Sequence, residues 1–299
     1  MIYALGLAAL CVVMFGPAGA LLARAHWTHR APRAAVALWQ AIGISGALAA
    51  IGFGLAVTVL PTHAGLRGGI VHLGRQVMAG RPLQGLGISG ALGLTLATDV
   101  CSVLIFGLAT TALRTTFDRS RHRHLLDLVS HSVDGVPDVH VLDDPRVTAY
   151  CLPGVRPRIV VSAGALRLLG HQEIDAVVAH ERGHAHGRHG VVMLPFASMD
   201  PLLRWMPYVR CARTQVALLL EMAADDFALR SSRPQVLAGA LLEMSASGAS
   251  PSCAFAANST AVASRIHRLL RSRRSSPSVA ALALAASVAV LVLPFSALN

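Results

Sequence analysis

Four long apolar runs dominate the chain, over residues 2–22, 34–60, 85–113 and 278–299. A bilayer needs about 20 apolar residues for a helix to cross it, and each run is long enough. The first lacks a basic start and exceeds the apolar core of a signal peptide, so it reads as a span. Between residues 114 and 277 the pattern becomes globular. Residues 139–142, 148–152 and 158–162 read as short strands separated by Asp/Pro and Pro/Gly turns. Helical spacing returns over 172–186, 214–230 and 235–244, and Gly187 marks a helix end. Residues 191–208 are apolar but interrupted by Pro195, Pro201 and Pro207, which fits either a membrane-grazing or re-entrant segment or a buried connection. The expected fold is α+β, mainly α: three transmembrane helices in 1–113, a domain over 114–277, and a fourth transmembrane helix over 278–299.

Charge sharpens this picture. Only 14% of the residues are charged, against about 25% in an ordinary soluble domain. All 26 basic residues are arginine, and every acidic residue except Asp99 lies between Arg114 and Pro277. Arg24, Arg30 and Arg33 follow the first run. Arg114, Arg119, Arg121 and Arg123 follow the third, and Arg265, Arg268, Arg271, Arg273 and Arg274 precede the fourth. These clusters share the cytoplasmic side if both termini lie outside, in a multi-pass cell-membrane protein. The loop 61–82, with Arg67, Arg75 and Arg81, then faces outward against the rule. The net charge of +11 is thereby explained without nucleic acid, for which no recognition motif is present. The five cysteines show no zinc-finger spacing and read as free thiols. Asp99, mid-way along the third run, is expected to face the bundle interior, since a carboxylate in lipid is costly.

The candidate chemistry lies in Ala176-Val-Val-Ala-His180-Glu181-Arg-Gly-His184. Two histidines four apart share one helix face and can hold one metal, with Glu181 beside them as general base. Zinc at such a site lowers the pKa of its water to roughly 7, which points to peptide hydrolysis. A catalytic zinc usually has a third protein ligand. In the long three-histidine signature the third histidine would fall at position 190, which is Gly190, while the histidine stands at 189. His186 and His189 therefore read as solvated or as hydrogen-bonding support for a ligand. Glu221 follows the apolar run 216–220, an improbable place for an unpaired charge, and is the better third ligand. Asp225, one turn later, is placed to orient a ligating imidazole.

The pair His180-Glu181-Arg182-Gly183-His184 and Glu221-x-x-x-Asp225 resembles the gluzincin membrane metallopeptidases, including HtpX-type and CAAX prenyl proteases. Residues 149–154 and 159–164 resemble the strand pair that precedes the zinc helix there. Three spans before the site and one after it resemble the BlaR/MecR antibiotic-sensing transducers, although the chain stops at Asn299, without their extracellular penicillin-binding domain. The resemblance implies one Zn2+ per chain, a cytoplasmic metallopeptidase domain, and endopeptidase action in signal-response regulation. A protein substrate, a transcriptional repressor or a membrane protein, and the lipid bilayer are the partners implied, with a homodimer as a further option. Quality-control proteolysis of the HtpX kind, or a receptor with a structural zinc, are the alternatives. Substrate is expected to extend along an exposed strand formed by Arg158, Ile159, Val160, Val161 and Ser162.

Overall fold

The structure, a computed structural model, describes residues 1–62, 65–80, 86–133, 136–154, 156–248, 259–271 and 277–296. Helices α1 (Ile2–Val13) and α2 (Gly19–Arg24) form one apolar rod. Pro17 has no N–H to donate, and the helix absorbs it by widening into a π turn over Met14–Ala18 instead of breaking. α3 (Pro32–Val59) starts on a proline, whose missing N–H costs nothing in a first turn. A short amphipathic helix, α4 (Gly65–Met78), follows. α5 (Ile88–Val129) runs for 42 residues, because no glycine or proline stops it after Leu113. Among the described residues, the rods Ile2–Arg24, α3 and α5, with α12 (Pro277–Ser296), are the four helices long and apolar enough to cross a membrane. α3 and α5 cross at glycines: a Cβ on Gly54 would meet the Gly93 carbonyl oxygen at 2.6 Å. Asp99 departs from expectation. It is exposed on the outer face of α5, as are its neighbours Thr95, Thr98 and Ser102.

The domain that follows α5 contains a four-stranded sheet of β1 (Ser130–Val133), β2 (Val136–Leu142), β3 (Ala149–Leu152) and β4 (Arg158–Ser162). The strand order is β1-β2-β4-β3. β2 runs parallel to β4 with Val139 opposite Ile159, and β3 runs antiparallel to β4 with Cys151 opposite Ile159. This corrects the expected substrate strand. Both edges of β4 are already paired, and Ile159, Val160, Val161 and Ser162 are buried. The strand at this end of the sheet is β3.

After β4 come α6 (Ala163–Leu168), capped by the Ser162 hydroxyl, which accepts from the Ala165 N–H at 3.1 Å, and α7 (His171–His186). Next are α8 (His189–Leu203), α9 (Pro207–Ala228), α10 (Pro234–Ala246) and α11 (Ser259–Leu270). α7 lies on the sheet, with Val177 and Val178 packed among Val139, Ala149, Ile159 and Val161. α9 has a second apolar face. Val216, Leu219 and Met222 share a core with Trp39 and Ile42 of α3 and with Met193 and Phe196 of α8. The proline-broken stretch 191–208 thus forms most of α8 and the start of α9. Tyr208 donates its hydroxyl to the Trp39 carbonyl at 3.3 Å, fixing this hairpin against α3.

Candidate metal centre

Two helices build the site. α7 is capped at its start by Glu173, whose carboxylate accepts the Gly170 N–H at 2.9 Å. Its buried face then carries Val177, His180, Glu181 and His184 in succession. α9 crosses it at Gly183. A Cβ there would stand 3.1 Å from the Ala224 Cα and carbonyl oxygen, so only glycine permits this approach without displacement. The contact brings Glu221 under the two imidazoles.

The Nε2 atoms of His180 and His184 are 3.1 Å apart. Oε2 of Glu221 lies 3.4 Å from the first and Oε1 lies 3.5 Å from the second. A tetrahedral zinc with bonds of 2.0–2.2 Å separates its ligand atoms by roughly 3.3 Å. The donors therefore stand where such an ion would hold them. Charge fits as well. Among the described residues the buried acidic and basic side chains are His180, Glu181, His184, His189, Glu221, Asp225 and Arg265, all in this cluster. With the imidazoles neutral, as metal ligands must be, three carboxylates against one guanidinium leave two negative charges, which a dication would balance.

Asp225 and Arg265 complete the surroundings. Oδ1 of Asp225 is 2.9 Å from Nδ1 of His180, close in distance but not aligned as a hydrogen bond. Arg265, on α11, donates from Nε to Oδ2 of Asp225 at 2.9 Å and from a terminal nitrogen to Oδ1 at 2.6 Å. Its other terminal nitrogen lies 2.9 Å from Oε2 of Glu221. Burial alone would raise both carboxyls, but the guanidinium outweighs it and holds each well below the usual carboxylate range. Burial pulls His180 down, yet its contacts to Asp225 and Glu221 prevail and hold it up at about 9. His184, buried without such a carboxylate on its far nitrogen, falls to about 3.

His189 supports the site instead of facing solvent. Its Nδ1 meets Nδ1 of His184 at 2.9 Å, and burial takes its pKa down to about 4. Arg188 turns the chain here in the left-handed region, φ 47°, between α7 and α8. Gly187 leaves room, since a Cβ on it would lie 2.3 Å from the His189 ring. His186 points elsewhere and packs on Phe227, with ring centroids 5.2 Å apart. Arg182, inside the motif, reaches Asp138 on β2 with two hydrogen bonds at 2.8 and 2.9 Å.

Residues 118–246 match the family described as Peptidase family M48. A 140-residue stretch is 31% identical to Plastoglobule-localized metallopeptidase 48, chloroplastic, of Arabidopsis thaliana, covering 40% of this chain and 37% of that protein. A 75-residue stretch is 35% identical to the Protease HtpX homolog of Thermoplasma acidophilum, covering 24% of each. The matches span well under half the length of these relatives. No solved structure gives a significant match. Together the family and the metallopeptidase-named relatives support a metalloprotease, and the four apolar helices support membrane association.

Sequence reasoning about the site misses Arg265, which reads as one member of a basic cluster. Its signal lies in the helical spacing of α11. Ile266 and Leu269 pack towards α7 and α10, which leaves Arg265 and Arg268 to face α9.

Proposed function

We propose that this protein is a membrane-tethered zinc endopeptidase that cleaves protein substrates at the cytoplasmic membrane face, in signal-response regulation as the BlaR/MecR-like topology implies. The carrying observation is the trio His180, His184 and Glu221 at tetrahedral ligand spacing, with the buried carboxylate of Glu181 beside it. These three side chains would hold the zinc, whose contribution is to polarise the scissile carbonyl and acidify water. Glu181 takes the proton of the attacking water and delivers it to the leaving amine nitrogen. Asp225 holds His180 with its Nε2 towards Glu221. An extended substrate adds to β3, the strand that ends the sheet on the side of α7. The Cys151 thiol on β3, raised by burial and then by the charge of Glu181, supports this placement. The arginine clusters support a cytoplasmic site with both termini outside.

An HtpX-like role in membrane-protein quality control is the second reading, favoured by the likeness to the archaeal HtpX homolog. The test is purification in mild detergent, with bound zinc and cleavage of an unfolded membrane protein measured together. Glu181→Ala should keep zinc and lose cleavage, and Glu221→Ala should lose both. Equal cleavage by wild type and Glu181→Ala would remove the enzyme reading and leave a receptor with a structural metal.

A further inference from the structure

Arg265 lies beyond the residues matched by the peptidase family, on a helix that also touches the apolar part of the molecule. Its side chain is 2% exposed. A guanidinium is seldom so enclosed unless every donor edge is used, and here the edges are used on two functional carboxylates. One edge grips both oxygens of Asp225 in a fork, and the remaining terminal nitrogen holds Oε2 of Glu221. Glu221 and Asp225 are one turn apart on α9, so a single planar group spans them and sets their relative orientation. Through Asp225, and directly from a terminal nitrogen 3.5 Å from its Nε2, the same group acts on His180.

α11 is itself held firmly. Ile266 and Leu269 sit in a core with Ala176 and Ala179 of α7 and Leu237 of α10. One turn after Arg265, Arg268 grips Asp226 with hydrogen bonds of 2.7 and 2.9 Å. Arg268 also donates to the His29 carbonyl at 2.6 Å, in the turn between α2 and α3. The guanidinium is therefore delivered from a fixed helix, tied on one side to the metal-site helix and on the other to the start of the membrane bundle.

We propose that Arg265 is the positioning residue of the metal centre, locking Glu221 and, through Asp225, His180 in the ligating arrangement. This rests on the metallopeptidase reading only in requiring that the site bind a divalent ion. Arginine is required in place of lysine, because an ammonium offers no planar fork for Asp225 with a third donor left for Glu221. Removal of a group that orients metal ligands typically lowers affinity 10–100-fold.

The experiment uses the full chain in mild detergent, with Zn2+ titrated against a competing chelator and Co2+ as a spectroscopic probe. For Arg265→Gln we expect a 10–100-fold weaker Zn2+ affinity and a shifted, weakened Co2+ visible band, at unchanged helical content and elution volume. Arg265→Lys should recover affinity only in part, and millimolar methylguanidine should restore the Co2+ band of Arg265→Ala. A merely structural arginine would lower thermal stability without moving the band or responding to methylguanidine, and that result overturns the proposal. Affinity equal to or above wild type in Arg265→Gln overturns it too, the latter by making the arginine a competitor for the ion. Should Arg265→Gln and Arg265→Ala fail to fold, Arg265→Lys decides, with a wild-type band and affinity counting against. If wild type binds neither ion, the metallopeptidase reading fails first. If wild type binds and all variants match it, only the positioning role fails.

Discussion

His184 meets His189 nitrogen to nitrogen, Nδ1 to Nδ1 at 2.9 Å, so the side of the His184 ring turned away from Glu221 is already engaged. One of the two must donate and the other accept, which fixes the tautomer of the ligating ring. Loss of such a partner typically weakens metal binding 10–100-fold. We expect His189→Ala to lower Zn2+ affinity by that factor without abolishing it, as read by chelator competition. An unchanged affinity would show that the ring is held by packing alone.

Gly187 gives a second route to the same effect. A methyl there would occupy the His189 ring position, with Nε2 at 2.3 Å. Gly187→Ala should therefore mimic His189→Ala in metal affinity. In a His189→Ala background the added methyl should cost little more, so a double-mutant cycle is expected to be strongly non-additive. Additive losses would mean that Gly187 acts through the helix end and not through the ring.

At Gly183 two magnitudes compete. Alanine improves helix propensity by about 1 kcal/mol, whereas overpacking a close contact costs typically about 1–3 kcal/mol. The atoms opposed are the Ala224 Cα and carbonyl oxygen, which cannot rotate away. Gly183→Ala should thus change Tm little but reduce bound zinc, because α9 must shift outward and take Glu221 with it. Gly183→Val should lose both stability and metal. Full zinc occupancy in Gly183→Val would contradict this account of the α7–α9 crossing.

How much of this is legible in the chain depends on whether the deciding contact is local. His180 and His184 are legible because helical spacing alone puts them on one face. Glu221 stands out as an acid closing an apolar run, 216–220. His189 is legible only as a choice between a solvated ring and support for a ligand, because the inward turn that decides it depends on Arg188 adopting φ 47°, which no residue type announces. Arg265 hides in a cluster of arginines just before the fourth apolar run, and only the packing of Ile266 and Leu269 on α7 and α10 separates it from them. β4 misleads for a non-local reason. Ile159-Val160-Val161 is a continuous apolar run too short to decide by itself where the strand sits, and its central position comes from a parallel partner, β2, separated in sequence by β3.

Asp99 stands exposed on α5, in a helix apolar enough to span a bilayer. A mid-span carboxylate costs roughly 2.5–3.5 kcal/mol on insertion scales. Asp99→Leu should accordingly raise the inserted fraction of the third span in a glycosylation-mapping assay. Metal binding should be unaffected, as no residue of the metal centre lies on α5. Insertion unchanged by Asp99→Leu would show that the carboxylate is solvated in place.

Cys151 lies on β3 near Glu181, and its thiol is pushed up to about 12, by burial first and by the Glu181 charge second. The thiolate is the reactive form, so at pH 8 about one thiol in ten thousand is ionised. A variant retaining only Cys151 should resist iodoacetamide at pH 8 in the folded state and react on unfolding. Glu181→Gln removes the second cause and should speed the folded-state reaction measurably. Rapid labelling of the folded wild-type site would place β3 away from the base.

Metal uptake should release a proton. Without metal, His180 is held at about 9 by Asp225 and Glu221 against the opposing effect of burial, so it is protonated at pH 7. A metal needs its neutral ring, whereas Glu221 is already ionised and His184, at about 3, already neutral. One ligand therefore gives up a proton, and the sign follows: apparent affinity rises with pH, close to tenfold per unit between pH 6 and 8, and levels off above about 9. Calorimetry in buffers of different ionisation enthalpy should report about one proton released per ion at pH 7. Asp225→Asn removes a principal cause of the raised value, so in that variant the release should shrink and the affinity plateau begin at lower pH. A pH-independent affinity in wild type would mean that His180 is neutral before the ion arrives.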